Sequence, residues 1–405
     1  MQRPVHSPPS VLWLTHEPPL PAVTGSRVRS GRLVAGLGGR GHRVSLFSVA
    51  TGAAVQAHDR RDLAELAERA VVAPLGIGAA RRRARLVVDL LRGRAFQERW
   101  FDGPRAHAQL DAWLAAERFD VIVAGGLYML AYVPPRLLAR TVLDSHNVDA
   151  QRLASMAEAL FPRPRGIAAR LQLGPVRRFE QASAGRVRAV LACSEQDAAY
   201  FEPFAPGRVS VVPNGVDCAS MAPRDDVAPG AEVLFVGTMT YSANVDAALE
   251  LLRDVAPRLR RRDARITLVG DGAPRSVRAA AGACQLAVEL PGRVPDTAPW
   301  FQRSRVFAAP LRFGGGTRLK ILESLARGVP VVSTTTGADG LGLVHERDVI
   351  LADDPADFAA WVDRLLSDDD LCRSLSLAGR RAAERHDWTH AIDPLEQALL
   401  RVCGP

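Results

Sequence analysis

The segment Phe313–Ser324 reads FGGGTRLKILES, and its Lys320 is the only lysine of the chain; every other one of the 52 Lys and Arg residues is arginine. Three glycines stand just ahead of two cations. A strand ending at Pro310, a loop of residues without Cβ and a helix N-terminus together make an anion site, because free backbone N–H groups and the helix dipole both favour negative charge. Gly314, Gly315 and Gly316 would let the backbone approach a phosphate. Thr317 is placed to cap a helix that should run to Arg327, with Gly328 and Pro330 ending it. Arg318 and Lys320 fall in the first turn, where a cation opposes the dipole unless an anion faces it. A guanidinium fork and a compact ammonium could share a pyrophosphate, with the ammonium following the leaving oxygen as its charge grows. The plainer alternative is a solvated arc of Lys320, Glu323, Ser324 and Arg327 with a Lys320–Glu323 pair, opposite an apolar arc of Leu319, Ile321, Leu322 and Leu325.

Other residues could join this chemistry. Gly25 follows the first apolar run in PPLPAVTGS, where the backbone could approach a transferred group. His146, in VLDSHNVDAQR, follows a strand ending at Asp144 and could hydrogen-bond a ligand in the cleft; His16 has a similar placement. Asn214, in PNGVD, is better suited to shaping a turn. No G-x-G-x-x-G follows the first strand, which argues against a nicotinamide enzyme. The triplet Asp368–Asp370 reads as the start of a late helix, not as a metal motif, so neither metal nor cofactor is expected.

The elements that must position these residues alternate in type. In the second half, strands are expected at 232–236, 265–269, 286–290, 305–310 and 329–334, separated by helices over 243–260, 274–282, 296–303 and 318–327. In the first half, strands are expected at 11–16, 42–49, 120–124, 140–144, 188–192 and 208–212, with a helix over 26–39 and a mostly helical, basic segment over 78–118. Strands apolar throughout and joined by helices imply parallel sheets covered on both faces. The fold class is therefore α/β, with two Rossmann-like doubly wound domains whose ligands bind beyond the carboxyl ends of the strands. The domains are expected over 1–217 and 218–387, with a last helix, 388–405, crossing back to the first; residues 221–231 read as a linker.

The charge is lopsided. Residues 1–217 hold 29 Arg against 19 acids, and residues 218–405 hold 22 Arg, one Lys and 25 acids. The first half is thus suited to an anionic acceptor or membrane surface; aromatics at 6% and the lack of a nucleic-acid motif point away from nucleic acid. The segment 79–99 surrounds Leu86, Val87, Leu90 and Leu91 with seven arginines and could lie on an anionic bilayer, or could pack its apolar face on the sheet. No run reaches the length of a spanning helix, the N-terminus lacks the layout of a signal peptide, and five scattered cysteines read as reduced thiols, so a cytoplasmic protein is expected.

The stretch PLRFGGGTRLKILESLARGVPVVSTTTGADGL (310–341) resembles the donor-site motif of the family 4 retaining glycosyltransferases of the GT-B fold, in a subgroup marked by GTRLKILE and tied to bacterial polysaccharide synthesis. VVPNGVD (211–217), VLFVGTM (233–239), LVGDGAP (268–274) and the first strand, loop and helix are similar to the family's other landmarks. The resemblance implies transfer of a sugar from a nucleotide diphosphate to a saccharide, lipid-linked glycan or natural product, with retention and without metal. It implies donor binding by Gly25, Gly237, Val294, Glu323 and the Gly314–Thr317 loop, with Glu323 on the ribose, and catalytic roles for Lys320, Arg318 and His146. Two family features are missing. The first of two glutamates eight apart falls on Gly315, and TMTYSAN (238–244) replaces the usual cations after the FVG strand. A sugar-nucleotide epimerase of the same fold and a non-catalytic nucleotide-sugar-binding subunit are the alternatives.

Overall fold

Strands form where the sequence is apolar on both faces. In the computed structural model, which describes residues 8–50, 57–224, 226–315 and 318–403 (of 57–61 only the backbone), β1 (Ser10–Thr15), β4 (Val121–Gly125), β5 (Thr141–Asp144) and β6 (Ala189–Ala192) are buried along their whole length. They join β2 (Arg43–Ala50), β3 (Arg69–Pro74) and β7 (Val209–Val211) in one parallel sheet of order β3-β2-β1-β4-β5-β6-β7. A second parallel sheet has β8 (Glu232–Val236), β9 (Arg265–Val269), β10 (Ala287–Gly292), β11 (Val306–Ala309), β12 (Val331–Ser333) and β13 (Ile350–Leu351) in the order β10-β9-β8-β11-β12-β13. Each order reverses beside the unit's first strand, the switch point where doubly wound sheets open for ligands.

The chain divides into two units, Met1–Asn214 with Thr389–Pro405, and Gly215–Trp388. Residues 221–231, read as a linker, fall inside the second unit. In the first unit, Leu12, Leu14, Phe47, Ile122 and Trp113 pack together on one face of the sheet, and Leu143 and Val190, in register with Ala124, carry that face on to Phe201. The last helix, Thr389–Cys403, closes this unit: Ile392 lies over Gly36, and Glu396 takes hydrogen bonds from Arg40 (2.7 Å) and contacts His42 Nε2 (2.6 Å). In the second unit, stacked Phe235, Phe307 and Phe301 fill the space between sheet and helices, with centroids 6.4 and 5.7 Å apart.

Two strands escaped the periodicity. β3 is half-buried and mixed in character, and β13 is two residues long. The 79–99 segment is a helix only over Ala79–Leu91, followed by a 3-10 turn at Phe96–Glu98. Its Leu86 and Leu90 are half-buried, while Val87 and Leu91 face solvent. Asp368 caps the Asp369–Glu384 helix by accepting from Leu371 N at 2.9 Å, as a helix start requires.

Candidate active site

In the second unit the site is built at the C-terminal ends of β8, β9 and β11. The Leu319–Ala326 helix follows the glycine loop after β11 and swings Lys320 toward β8. Lys320 Nζ donates to Asn244 Oδ1 at 2.5 Å and stands 4.5 Å from the centroid of the Phe235 ring. The Asn244 amide donates in turn to the Thr238 carbonyl at 2.8 Å. A Cβ at Gly237 would come within 2.7 Å of both Lys320 Nζ and Asn244 Nδ2, so only glycine lets ammonium, amide and backbone converge. Burial, and then the neighbouring Arg318 guanidinium, pull the Lys320 pKa down to about 7. A neutral amine held this way takes up a proton when an anion comes beside it.

Arg318 lies beside the glycine loop. Its Nη1 donates to the Gly315 carbonyl, and a Cβ on Gly314 (φ +143°) would strike the guanidinium at 2.7 Å. Gly316 and Thr317 lie outside the described residues. The helix begins at Leu319 with Arg318 in the cap position, making no side-chain cap bond, in place of the expected Thr317 cap. Beneath Gly237, Thr238 Oγ1 donates to Asp271 Oδ1 at 2.5 Å and Met239 N to Asp271 O at 2.8 Å, joining the loops after β8 and β9.

The solvated arc, the plainer alternative for this helix, does not form. Ser324 is fully buried and donates to Val329 O at 3.1 Å, because its hydroxyl is short enough to be satisfied by the next turn. Lys320 reaches across to β8 and its following helix, and Glu323 instead accepts from Thr297 Oγ1 at 2.6 Å and pairs with Arg327 at 3.3 Å. Thr297 follows β10 and the half-buried Val294 by a few residues, which puts Glu323 and Val294 on neighbouring segments.

In the first unit a second cluster sits at the ends of β1, β4 and β5. Arg29, on the buried side of the Gly25–Gly39 helix, meets Asp144 at 2.6 Å with both side chains out of solvent. Its other nitrogen donates to Val212 O and to Asn214 Oδ1, each at 2.9 Å. Burial alone would raise the Asp144 carboxyl, but Arg29 holds it well below the usual carboxylate range. His146 Nε2 is 3.2 Å from the same carboxylate. The His16 ring lies 6.2 Å from that of His146 and 5.0 and 5.4 Å from Phe101 and Tyr128. Burial lowers the His16 pKa to about 4, so it is neutral at pH 7. Gly25 is exposed at the first position of its helix, after Thr24, whose hydroxyl donates to Glu17 at 2.7 Å.

Gly237, Gly314, Gly315, Arg318 and Lys320 therefore gather in the second unit, while Gly25 and His146 belong to the first, where His146 and Arg29 both meet Asp144 and Gly25 starts the helix that carries Arg29. Sequence reasoning passed over Asn244, Phe235 and Arg29. A helix whose buried face carries an arginine among Ser30, Leu33, Val34 and Leu37 is a readable sign of a hidden carboxylate partner. Asn244 left no such sign. Among the described residues, no group of three or more His, Cys, Asp or Glu is placed to hold a metal ion, and no helix is long and apolar enough to cross a membrane.

These two sheets are those of the GT-B glycosyltransferases. The chain is similar over 97% of its length to sucrose-phosphate synthase from Thermosynechococcus elongatus (99% of that chain, TM-score 0.74, 17% identity). It is similar over 97% to Anabaena HepE in complex with UDP and glucose (100% of that chain, TM-score 0.68, 14% identity). In sequence, the description "Glycosyltransferase Family 4" matches residues 23–220 and "Glycosyl transferases group 1" matches residues 230–368. The chain belongs to this family of glycosyltransferases, enzymes that move a sugar from donor to acceptor. Among its curated relatives is the D-inositol 3-phosphate glycosyltransferase of Xylanimonas cellulosilytica, 26% identical over 75% of this chain and 74% of that protein. The protein of the same name from Thermomonospora curvata is 29% identical over 63% of this chain and 64% of its own length.

Proposed function

We propose that this glycosyltransferase takes a sugar from a nucleoside diphosphate donor and passes it to an acceptor hydroxyl with retention of configuration. The observation that carries the reading is the convergence of Lys320, Asn244, Gly237 and the Phe235 ring at the end of β8, beside Arg318 and the glycine loop. A departing diphosphate gains charge as the glycosidic bond breaks. Positive groups aimed at that oxygen lower the barrier more than they stabilise the ground state. An ammonium with a pKa near 7 suits this role, because it stays poorly solvated until the phosphate completes its shell. Gly314 and Gly315 supply close backbone approach, and Glu323 the acceptors for ribose hydroxyls once Thr297 and Arg327 shift toward other partners. Val294 lines the nucleoside end.

In the first unit, His146 stands beside Asp144 and hydrogen-bonds the donor sugar or the acceptor, and Gly25 leaves room for the sugar. No group is required to hold a metal, since two cations and backbone amides carry the diphosphate charge. The basic first half favours an anionic acceptor, in keeping with relatives named for inositol phosphate. HepE was solved with UDP and glucose, so UDP is the first nucleotide to try.

A thermal-shift screen of UDP, GDP, ADP and their sugars tests the reading, because a ligand that binds the folded state raises its stability. One diphosphate should raise the melting temperature of the native chain and not of Lys320→Ala. Shifts of equal size in the two proteins would remove Lys320 from the donor site. Product anomers read by NMR decide between retention and inversion.

A further inference from the structure

The helix Ala79–Leu91 is turned the wrong way for a surface helix. It buries its one carboxylate, Asp89, which stands 3.5 Å from Arg99, and gives the protein Arg82 and Arg85 as well: Arg82 lies 5.3 Å from the Trp100 ring, and Arg85 donates to the Asp102 carbonyl at 3.0 Å. To solvent it presents Val87, Val88 and Leu91, the last 81% exposed. A helix that folds for its own domain hides those three and shows the acid.

A second segment repeats the pattern. Phe161 is exposed just ahead of the Pro164–Arg186 helix, and Ile167 and Leu171, one turn apart, form an exposed apolar stripe on its first turns. The two segments are pinned side by side. Gln172, next to Leu171, donates to the Arg94 carbonyl at 3.2 Å and accepts from Phe96 N at 3.1 Å. Leu91 is three residues from Arg94, a reach of at most about 11 Å. The six apolar side chains thus belong to one region of the first unit.

Arginines dominate its surroundings: Glu158, three residues before Phe161, is the one exposed acid within 79–94 and 149–179. Arg81, Arg83, Arg92 and Arg94 are exposed on the first segment, and Arg163, Arg165 and Arg170 on the second. Residues 161–179 contain no acid, and Glu180 is buried, capping the Asp149–Leu160 helix through Asp149 N at 2.8 Å. A second copy would bring like charge against like. A fluid anionic surface with an apolar interior accommodates both the arginines and the aliphatic tips.

We infer that this arginine-ringed apolar face, built from 79–94 and 161–171, seats the first unit on an anionic lipid bilayer. It builds on the transfer reaction proposed above by pointing the acceptor side of the molecule at a lipid-linked or headgroup acceptor.

The test is sedimentation of the full chain with phosphatidylcholine vesicles with and without phosphatidylglycerol, at low and high salt. Binding should need phosphatidylglycerol and weaken with salt. Leu91→Asp with Leu171→Asp should lower partitioning by about tenfold or more. Arg83→Gln with Arg92→Gln and Arg170→Gln should lower it by about fivefold per arginine. All five positions are exposed, and an unchanged melting curve and nucleotide shift show that each variant is folded. Three results overturn the inference: no binding to anionic vesicles; binding untouched by the aspartates; or equal binding to a soluble polyanion such as poly(U), which would mark a nucleic-acid surface. Nucleotide binding is read separately, so losing the membrane face leaves the donor site standing, and the reverse.

Discussion

The two units use one sheet plan to make sites of opposite construction. In the second, the anion site is mostly backbone: a glycine loop, a glycine at the end of β8 and one ammonium held over a ring. In the first, the corresponding strand ends carry side chains held by a buried ion pair, with an arginine, an aspartate and two histidines drawn from positions 16 to 146. A backbone cradle accepts any diphosphate with little to reorganise. A side-chain cluster is specific, and costly to disturb. On the function proposed above, the diphosphate of the donor falls to the generic half, and the sugar and acceptor to the particular one.

The largest effect expected from this contrast is on stability, in the first unit. Arg29→Met leaves Asp144 buried without its cation, and breaking such a pair costs about 3–5 kcal/mol. The unfolding step of the first unit should fall by about 10 °C. The double variant Arg29→Met/Asp144→Leu should recover most of the loss, since the stranded charge is gone. If the double variant is as unstable as the single, packing and not charge explains Arg29.

Next comes Lys320→Ala, which should leave folding nearly intact and reduce turnover by about 10²–10³-fold, the range for removing one transition-state donor. Lys320→Arg should not rescue it, because a planar fork cannot sit between Asn244 and the Phe235 ring. Wild-type rates in either variant would move the leaving-group chemistry to another residue.

The pH dependence of donor binding is smaller and sharper. The lowered Lys320 pKa, about 7, means the ammonium is already charged below that pH and neutral above it. A diphosphate binds the charged form, so above pH 7 binding takes up a proton. Affinity should fall by up to about tenfold per pH unit there and stay flat, as far as this group goes, below. In Lys320→Met the slope should vanish. Folding carries the opposite sign: the unfolded chain binds the extra proton between about 7 and 10.5, so this residue's contribution to stability rises with pH across that window.

What could be read without coordinates follows the same division. The second unit announced itself because its site is local in sequence: three glycines, two cations and a helix start lie within a few residues of one another. Its strands matched expectation because runs such as VLFV are apolar on both faces. The partners of Lys320 were not legible, since Phe235 and Asn244 are about eighty residues away and look like any strand aromatic and any helix-start amide. In the first unit, Asp144 stood at a recognisable strand end, but nothing in one dimension ties it to Arg29. The edge strand β3 was missed for the same physical reason: with one side open, it does not need a continuous apolar run.

The smallest expected effect falls on Glu323, and it separates recognition from architecture. The carboxylate accepts from Thr297 and pairs with Arg327, both partly buried, so a structural role alone would cost about 1 kcal/mol or less in Glu323→Gln. A ribose role makes a different demand. The variant should bind a ribonucleoside diphosphate up to about tenfold more weakly, and a 2′,3′-dideoxy analogue no more weakly than wild type does. Melting curves of both proteins with both ligands complete the cycle. If the loss is the same with and without the hydroxyls, Glu323 only braces the loop after β10, and the second unit recognises its nucleotide through phosphate and base alone.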